Sequence, residues 1–212
     1  MEKRSQVKIK ICGLTDIDNL CRILFLEPDY VGFIFYPKSP RYVVGKVKPD
    51  MLSIIPSRVH RVGVFVNSTE TEIRQTAATY GLQTIQLHGN EKPELCHTLR
   101  ESGFEVIKAF SIEDEHDFDH IWSYEDYVDY YLFDTKTPNF GGSGKEFDWQ
   151  LILRQPLRKP WFLSGGISID NINVAAQSGA YAIDLNSRFE LAPGIKDYEL
   201  LHKALAKIKK SQ

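Results

Sequence analysis

The chain has 212 residues, of which 42% are hydrophobic, 12% aromatic and 25% charged, and its formal net charge is −2. These proportions are typical of an ordinary globular protein of one domain and exclude disordered, collagen-like and disulfide-stapled classes. Because no run of lysine or arginine dominates, we expect neither nucleic acid nor a membrane as a partner, so any anionic ligand has to be held locally.

The cysteines and the first residues indicate the compartment. Cys12, Cys21 and Cys96 lie in widely separated segments without CxxC spacing, which favours reduced thiols over disulfides or a zinc site. The opening MEKRSQ runs directly into a β-rich segment, and no stretch of about 18 apolar residues is present. We therefore predict a cytoplasmic protein with neither a targeting segment nor a membrane span.

Short β-rich runs alternate along the chain with segments of helical spacing. The predicted strands cover residues 7–11, 30–35, 61–66, 84–87, 105–109, 131–133, 161–163 and 182–185. The helical stripes are Ile17, Leu20 and Leu24; Ile73, Ala77 and Tyr80; and Tyr198, Leu201, Leu205 and Ile208. Their predicted N-caps are Thr15, Ser68 and Asp197. Cys21 and Cys96 fall within helical patterns, and we interpret both as packing residues.

Eight strand-plus-helix units of about 26 residues each leave little room for a second domain. They fit either an open doubly wound sheet or a closed barrel. The turn after the first strand, CGLT at 12–15, lacks the GxGxxG of a nucleotide-binding open sheet. We therefore predict an α/β fold, a (β/α)₈ TIM barrel in which residues 1–212 form a single domain.

In such a barrel the reactive groups lie at the carboxyl ends of the strands. Alternation places Lys8, Lys10 and Cys12 on one face of the first strand, which we assign to the barrel interior. A free cysteine is more often a small core residue, but a neighbouring cation favours the thiolate. We therefore predict that Lys10 tunes Cys12 as a general base.

Two aspartates follow the later strands. Asp134 ends the sixth strand, where it is either a helix cap or lumen ion-pair partner, or a general acid. An acid opposite a thiolate base is the division of labour that sugar isomerisation requires, and we favour that role. Asp184, near the end of the eighth strand, is equally suited to a structural pair with Lys10.

Glycines and small polar residues after the last two strands indicate a phosphate site. Gly165 and Gly166 follow the seventh strand, and Asn186 and Ser187 follow the eighth. In many barrels the backbone N–H groups of these two loops bind a phosphoryl group, although a Gly-Gly pair alone is usually only a turn.

Other polar residues complete the predicted site. Arg41 is either a solvated loop cation or a fork for a carboxylate, and Gln86 and His88 alternate to one face of the fourth strand. The histidines at 60, 97 and 202 look like surface residues or residues that flank an element, and those at 116 and 120 fit a solvated helix face better than a metal site.

The loop from 135 to 144 is long and rich in glycine and proline. It resembles a nucleotide loop only superficially, because Asn139 and Glu146 replace required residues. We interpret it as a lid in which Gly142 and Gly144 permit closure and Lys145 moves with it.

Several motifs in order and spacing resemble the phosphoribosylanthranilate isomerase family, and the resemblance spans nearly the whole chain. They are KICGLT at 10–15, GFIFYPKSPRY at 32–42, VGVFVN at 62–67, QLHG at 86–89, LFDTK at 132–136, GGSGK at 141–145, FDW at 147–149, LSGG at 163–166 and PGIKD at 193–197.

The resemblance implies a cofactor-free isomerase of tryptophan biosynthesis without a metal, acting on N-(5-phosphoribosyl)anthranilate by an Amadori rearrangement. Cys12 matches the family's general base, Asp134 its general acid and Arg41 the residue that holds the anthranilate carboxylate. The loops after the seventh and eighth strands match its phosphate site.

One position departs from the family pattern. The family reads SSGVE after the eighth strand, whereas this chain reads NSRFE, so Arg188 replaces a glycine. Arg188 is expected to clash, to strain the backbone or to contribute a new bond to phosphate. Two alternatives stay open. Arg188 alone supports a degenerate barrel that binds a phosphorylated metabolite without catalysis. A metal-dependent sugar-phosphate epimerase would need histidine and carboxylate ligands from several strand ends, where His88 is the only histidine. The sequence leaves protein partners unknown.

Overall fold

The computed structural model describes residues 7–135 and 148–211. Eight parallel strands close into a barrel in sequence order, each hydrogen-bonded to the next and the last to the first. They are β1 (Lys8–Cys12), β2 (Tyr30–Ile34), β3 (His60–Phe65), β4 (Thr84–Leu87), β5 (Glu105–Ile112), β6 (Tyr130–Thr135), β7 (Trp161–Leu163) and β8 (Ala182–Leu185). The predicted (β/α)₈ barrel is confirmed.

The connections carry helices on the outside of the barrel. The α-helices are α1 (Ile17–Leu24), α2 (Glu70–Tyr80), α3 (Pro93–Glu101), α4 (Gln150–Leu153), α5 (Ile172–Gln177) and α6 (Tyr198–Ser211). The 3₁₀ helices are Pro49–Ile54, Glu115–Phe118, Ile121–Tyr127 and Ser187–Phe189. A small antiparallel hairpin, β9 (Glu190–Ala192) and β10 (Ile195–Lys196), follows the last of these. Within the described part of the chain, no helix is long and apolar enough to span a bilayer.

Apolar side chains fill two layers, as alternation along a buried strand requires. One layer lies between the sheet and the helices and includes Leu20, Ile73 and Leu201 from the predicted helical stripes. The other fills the barrel interior with Tyr30, Val62, Ile107, Ala109, Leu132, Phe162 and Ala182. The interior is thus packed rather than hollow, and the polar residues at the strand ends lie above this apolar layer.

Two of the three predicted N-cap residues were wrong. Asp16, not Thr15, caps α1, because its carboxylate accepts from the Asn19 N–H at 2.7 Å, whereas the Thr15 hydroxyl donates to the Gly194 carbonyl. Thr69, not Ser68, caps α2 through a reciprocal bond with a glutamate three residues on. For α6 the prediction is confirmed, since the Asp197 carboxylate accepts from the Leu200 N–H at 3.0 Å.

Candidate active site

Cys12 lies at the carboxyl end of β1 with a side chain that is almost fully buried. The neighbouring strand makes room for its thiol, because a Cβ added at Gly32 would stand only 2.7 Å from the Cys12 Sγ. Two residues earlier on the same face, Lys10 is completely buried and its Nζ donates to the Asp184 Oδ2 at 2.6 Å. The interior position of Lys10 and its pairing with Asp184 agree with the sequence pattern.

The charges around Cys12 oppose one another. Burial raises the pKa of the Cys12 thiol, Lys10 and Lys196 lower it, and the Asp184 carboxylate raises it again. Burial outweighs the lowering by Lys10, so the pKa of the thiol ends above its ordinary value, although Lys10 acts in the predicted direction and favours the thiolate. The physical reason is that Asp184 shares the charge of Lys10 and that the thiol is out of contact with water.

A polar chain runs from β4 to β6 across the mouth of the barrel. Gln86 is buried, and its Nε2 lies 2.9 Å from the His88 Nδ1. The His88 Nε2 lies 3.5 Å from the Asp134 Oδ2, and the other oxygen of Asp134 accepts from the Thr135 N–H at 2.8 Å. Because an amide nitrogen can only donate, His88 accepts at Nδ1 and a neutral ring carries its proton at Nε2, facing Asp134.

Asp184 lies within electrostatic range of both Cys12 and Asp134. Burial raises the pKa of Asp184, Lys10 lowers it, and the nearby Asp134 carboxylate raises it again. The structure thus gathers a thiol, an imidazole and two carboxylates at one end of the barrel.

An ion pair that the sequence analysis missed, between Glu91 and Lys108, binds the backbone beside His88. The Glu91 carboxylate accepts from the backbone N–H groups of Asn67, at 2.8 Å, and of Gly89. Lys108 pairs with it at 3.2 Å and donates to the carbonyl of Gly89 at 2.8 Å. Both side chains are buried, so this pair fixes the loop that carries His88. Lys108 lies inside β5, which extends beyond the predicted run and ends at Ile112.

Arg41 does not point freely into the mouth. Its Nε donates to both oxygens of Glu190, at 2.9 and 3.0 Å, and its Nη2 donates to the Oε2 at 2.6 Å. Lys196, which is completely buried, donates to the Glu190 Oε1 at 2.7 Å and to the Asn186 Oδ1 at 2.8 Å. Neither Glu190 nor Lys196 was singled out from the sequence, although both belong to motifs quoted there.

Of the two loops predicted to bind phosphate, the one after β7 lies against the end of β6. Gly165 and Gly166 have φ angles of +82° and +69°, a left-handed conformation that glycine adopts without strain. A Cβ at Gly165 would stand 2.5 Å from the Thr135 backbone nitrogen and 2.7 Å from the Asp134 Oδ1. This glycine is therefore required for the close packing of the seventh loop against the end of β6.

The anticipated backbone strain at Arg188 is absent. Arg188 is exposed within the 3₁₀ helix Ser187–Phe189, and among the described residues only Glu27 and Asn67 are non-glycine residues with positive φ. The loop therefore accommodates arginine with an ordinary backbone conformation.

The remaining predictions concern the lid, the other two cysteines, the other histidines and metal binding. The lid residues Gly142, Gly144 and Lys145 lie outside the described residues. Cys96 is buried as predicted, but Cys21 is exposed, so its interpretation as a packing residue was wrong. Of the five other histidines, those at 97, 116, 120 and 202 are exposed and that at 60 is half-buried. Among the described residues no three His, Cys, Asp or Glu side chains are grouped to hold a metal ion.

A closed eight-stranded barrel with acidic, basic and thiol groups at the carboxyl ends of its strands is the architecture of a (β/α)₈-barrel enzyme. The family model described as N-(5'phosphoribosyl)anthranilate (PRA) isomerase matches residues 9–207. The chain therefore belongs to the phosphoribosylanthranilate isomerase family.

Individual relatives agree along almost their whole length. N-(5'-phosphoribosyl)anthranilate isomerase from Parabacteroides distasonis is 41% identical over 207 residues, which cover 94% of this chain and 92% of the relative. The crystal structure of phosphoribosyl anthranilate isomerase from Thermotoga maritima superposes with a TM-score of 0.86 at 38% identity, covering 97% of this chain and all of that one. A structure of the isomerase in complex with reduced 1-(o-carboxyphenylamino)-1-deoxyribulose 5-phosphate gives a TM-score of 0.81 at 34% identity, covering 96% and 99%.

Proposed function

We propose that this protein converts N-(5-phosphoribosyl)anthranilate to 1-(2-carboxyphenylamino)-1-deoxyribulose 5-phosphate in tryptophan biosynthesis, with Cys12 as general base and Asp134 as general acid. The observation that carries the proposal is the convergence of the buried thiol at the end of β1 and the carboxyl group at the end of β6 on one barrel mouth. The family membership and the relative that binds the reduced product support the same reaction.

The proposed reaction is an internal redox exchange between two sugar carbons. Asp134 donates a proton to the ribose ring oxygen, the bond from that oxygen to C1 breaks, and the ring opens to a protonated imine. The Cys12 thiolate then removes the proton from C2, and the electron pair moves to form an enolamine. Tautomerisation places a proton on C1 and leaves a ketone at C2. Each acid or base group contributes about 10²- to 10⁴-fold to the rate.

His88 is suited to assist the acid. Its Nε2 lies 3.5 Å from the Asp134 Oδ2, and the bond from Gln86 to Nδ1 holds the ring in that orientation. Gln86 and His88 are therefore proposed to line the part of the site that surrounds the ribose. The Gln86 Oε1 is buried without a partner among the described residues and is the group left to accept a bond from substrate.

The two ends of the substrate are proposed to bind on either side of this centre. Arg41 holds the anthranilate carboxylate, since a guanidinium presents paired donors to a planar anion. The loops that contain Gly165, Gly166, Asn186 and Ser187 hold the phosphate, and Arg188, exposed beside them, adds a positive charge.

The test measures the loss of substrate fluorescence with N-(5-phosphoribosyl)anthranilate generated in place from anthranilate and ribose 5-phosphate. Cys12→Ala and Asp134→Asn should each lower kcat by at least about a hundredfold. The matched controls are Cys21→Ala and Asp126→Asn, because both residues are exposed and lie in helical segments, α1 and the 3₁₀ helix Ile121–Tyr127, rather than after a strand. Binding of the reduced product by a folded wild type that shows no turnover would instead support a binding protein.

A further inference from the structure

Arg41 belongs to a buried cluster of charged groups at the barrel mouth. We propose that Glu190 and Lys196 are positioning residues that hold the guanidinium of Arg41 in place for an aromatic carboxylate. The inference rests on the proposed function, because the carboxylate is that of the proposed substrate. It assigns a role to two side chains that do not themselves carry out the acid–base chemistry.

The bonds of Glu190 fix one edge of the guanidinium. Three contacts between 2.6 and 3.0 Å join the Nε and Nη2 of Arg41 to the two carboxylate oxygens. The Nη1–Nη2 edge is the one that Glu190 does not engage, and it offers a second pair of parallel donors. The side chain of Glu190 is only 4% exposed and that of Arg41 11%, so water competes little for these bonds.

Lys196 holds Glu190 from the opposite side. Its Nζ reaches the Glu190 Oε1 at 2.7 Å, and its own backbone is fixed to α1. There the Lys196 N–H donates to the Asn19 Oδ1 at 2.8 Å, and the Asn19 Nδ2 donates to the Lys196 carbonyl at 2.9 Å. The hairpin of β9 and β10 is therefore attached to the first helix, and it presents Glu190 to Arg41 from a rigid element.

Close packing restricts Arg41 on a further side. A Cβ at Gly13 would stand 2.7 Å from the Arg41 Cδ and 2.9 Å from the Asn186 Oδ1. The arginine stem thus lies directly against the loop after β1. Holding a side chain in its binding orientation beforehand avoids the entropy cost of ordering it when the ligand arrives.

The charges of the cluster also favour an anion. Burial raises the pKa of Glu190, but the bond from Arg41 and the charge of Lys196 outweigh it and keep that pKa below its ordinary value. With Glu190 ionised, Arg41 and Lys196 leave one net positive charge at the mouth, which matches a single carboxylate. Without Glu190 the two cations would repel each other and Arg41 would turn away from its position.

The experiment compares two substrates, N-(5-phosphoribosyl)anthranilate and N-(5-phosphoribosyl)aniline, which lacks only the carboxylate. Each is formed in place from ribose 5-phosphate and the amine, and product is followed by chromatography. Wild type should show a KM lower by about tenfold or more for the carboxylated substrate, as expected for a charged hydrogen-bonded pair. Arg41→Met should abolish this preference.

Glu190→Gln and Lys196→Met should each reduce the preference by about threefold or more. Glu190→Gln should leave KM for the aniline substrate close to that of wild type. Lys196→Met also removes the bond to the Asn186 Oδ1 in the proposed phosphate loop and should raise KM for both substrates. Glu70→Gln, which removes the carboxylate of an arginine pair on the outer face of α2, is the control and should leave the preference unchanged. Thermal unfolding checks each variant, and Glu190→Gln, which preserves volume, decides the question if Lys196→Met does not fold.

Three outcomes would overturn the inference. An unchanged preference in Glu190→Gln would mean that Arg41 needs no positioning. A stronger preference would mean that Glu190 competes with the substrate. A wild type that turns over both substrates with equal KM would remove the carboxylate role of Arg41, whereas a wild type that turns over neither would contradict the proposed function itself.

Discussion

Substitution of Gly165 by alanine tests whether the seventh loop positions the proposed acid. Gly165 has a φ of +82°, a region in which an L-residue costs about 1–2 kcal/mol. The new Cβ would also stand 2.5 Å from the Thr135 nitrogen and 2.7 Å from the Asp134 Oδ1. Because the Thr135 nitrogen belongs to the backbone and cannot rotate away, the overlap adds about 1–3 kcal/mol.

Gly179 supplies the matched control. Its φ is +85°, nearly the same as that of Gly165, but a Cβ there would meet nothing within 4 Å. Gly179→Ala should therefore carry only the conformational cost. The difference between the two variants isolates the collision at the end of β6.

The assay is urea unfolding at neutral pH together with kcat. Gly165→Ala should be less stable than Gly179→Ala by about 1–3 kcal/mol. Its kcat should fall by up to about a hundredfold, because the displaced Asp134 no longer meets the ring oxygen correctly. Equal stability of the two variants, with wild-type kcat in Gly165→Ala, would refute the assignment of this loop to the support of Asp134.

Two further predictions concern pH. Burial raises the pKa of the Cys12 thiol, so kcat/KM should keep rising with pH beyond about 8.5, the ordinary thiol value. This rise of kcat/KM at alkaline pH should vanish in Cys12→Ala. A flat profile from about pH 7 to 10 would contradict a thiolate base. The pKa of Glu190 is lowered by folding, so its stabilisation is present above the unfolded value of about 4.5 and is lost as pH falls through the lower folded value. As pH falls from about 5 to 2, the free energy of unfolding of wild type should therefore decrease more steeply than that of Glu190→Gln. Parallel plots of this free energy against pH would show that the two cationic neighbours of Glu190 contribute nothing.

The local sequence pattern was sufficient to predict the barrel and most of the strand-end residues. Each strand is a short apolar run because it is buried on both faces, and each helix shows an apolar stripe at helical spacing. Both patterns can be recognised within a few consecutive residues, without knowledge of distant contacts. The residue after each strand therefore shows which groups reach the mouth, as it does for Cys12, His88 and Asp134. Helix caps were less certain, since Asp16 and Thr15 are equally suitable cap residues and only their other contacts separate them.

The partners of those groups were decided by closure of the barrel. Arg41 and Glu190 stand 149 residues apart and Lys10 and Asp184 174 apart, so no local spacing relates them. The same holds for Glu91 and Lys108, which look in the sequence like ordinary solvated charges. Their burial follows from the packing of loops around the mouth, and burial in turn sets the pKa of Cys12, against the effect of Lys10. The sequence by itself determined which chemical groups stand at the strand ends; the tertiary structure decided their charge state and orientation, because both depend on contacts between distant segments and on the exclusion of water.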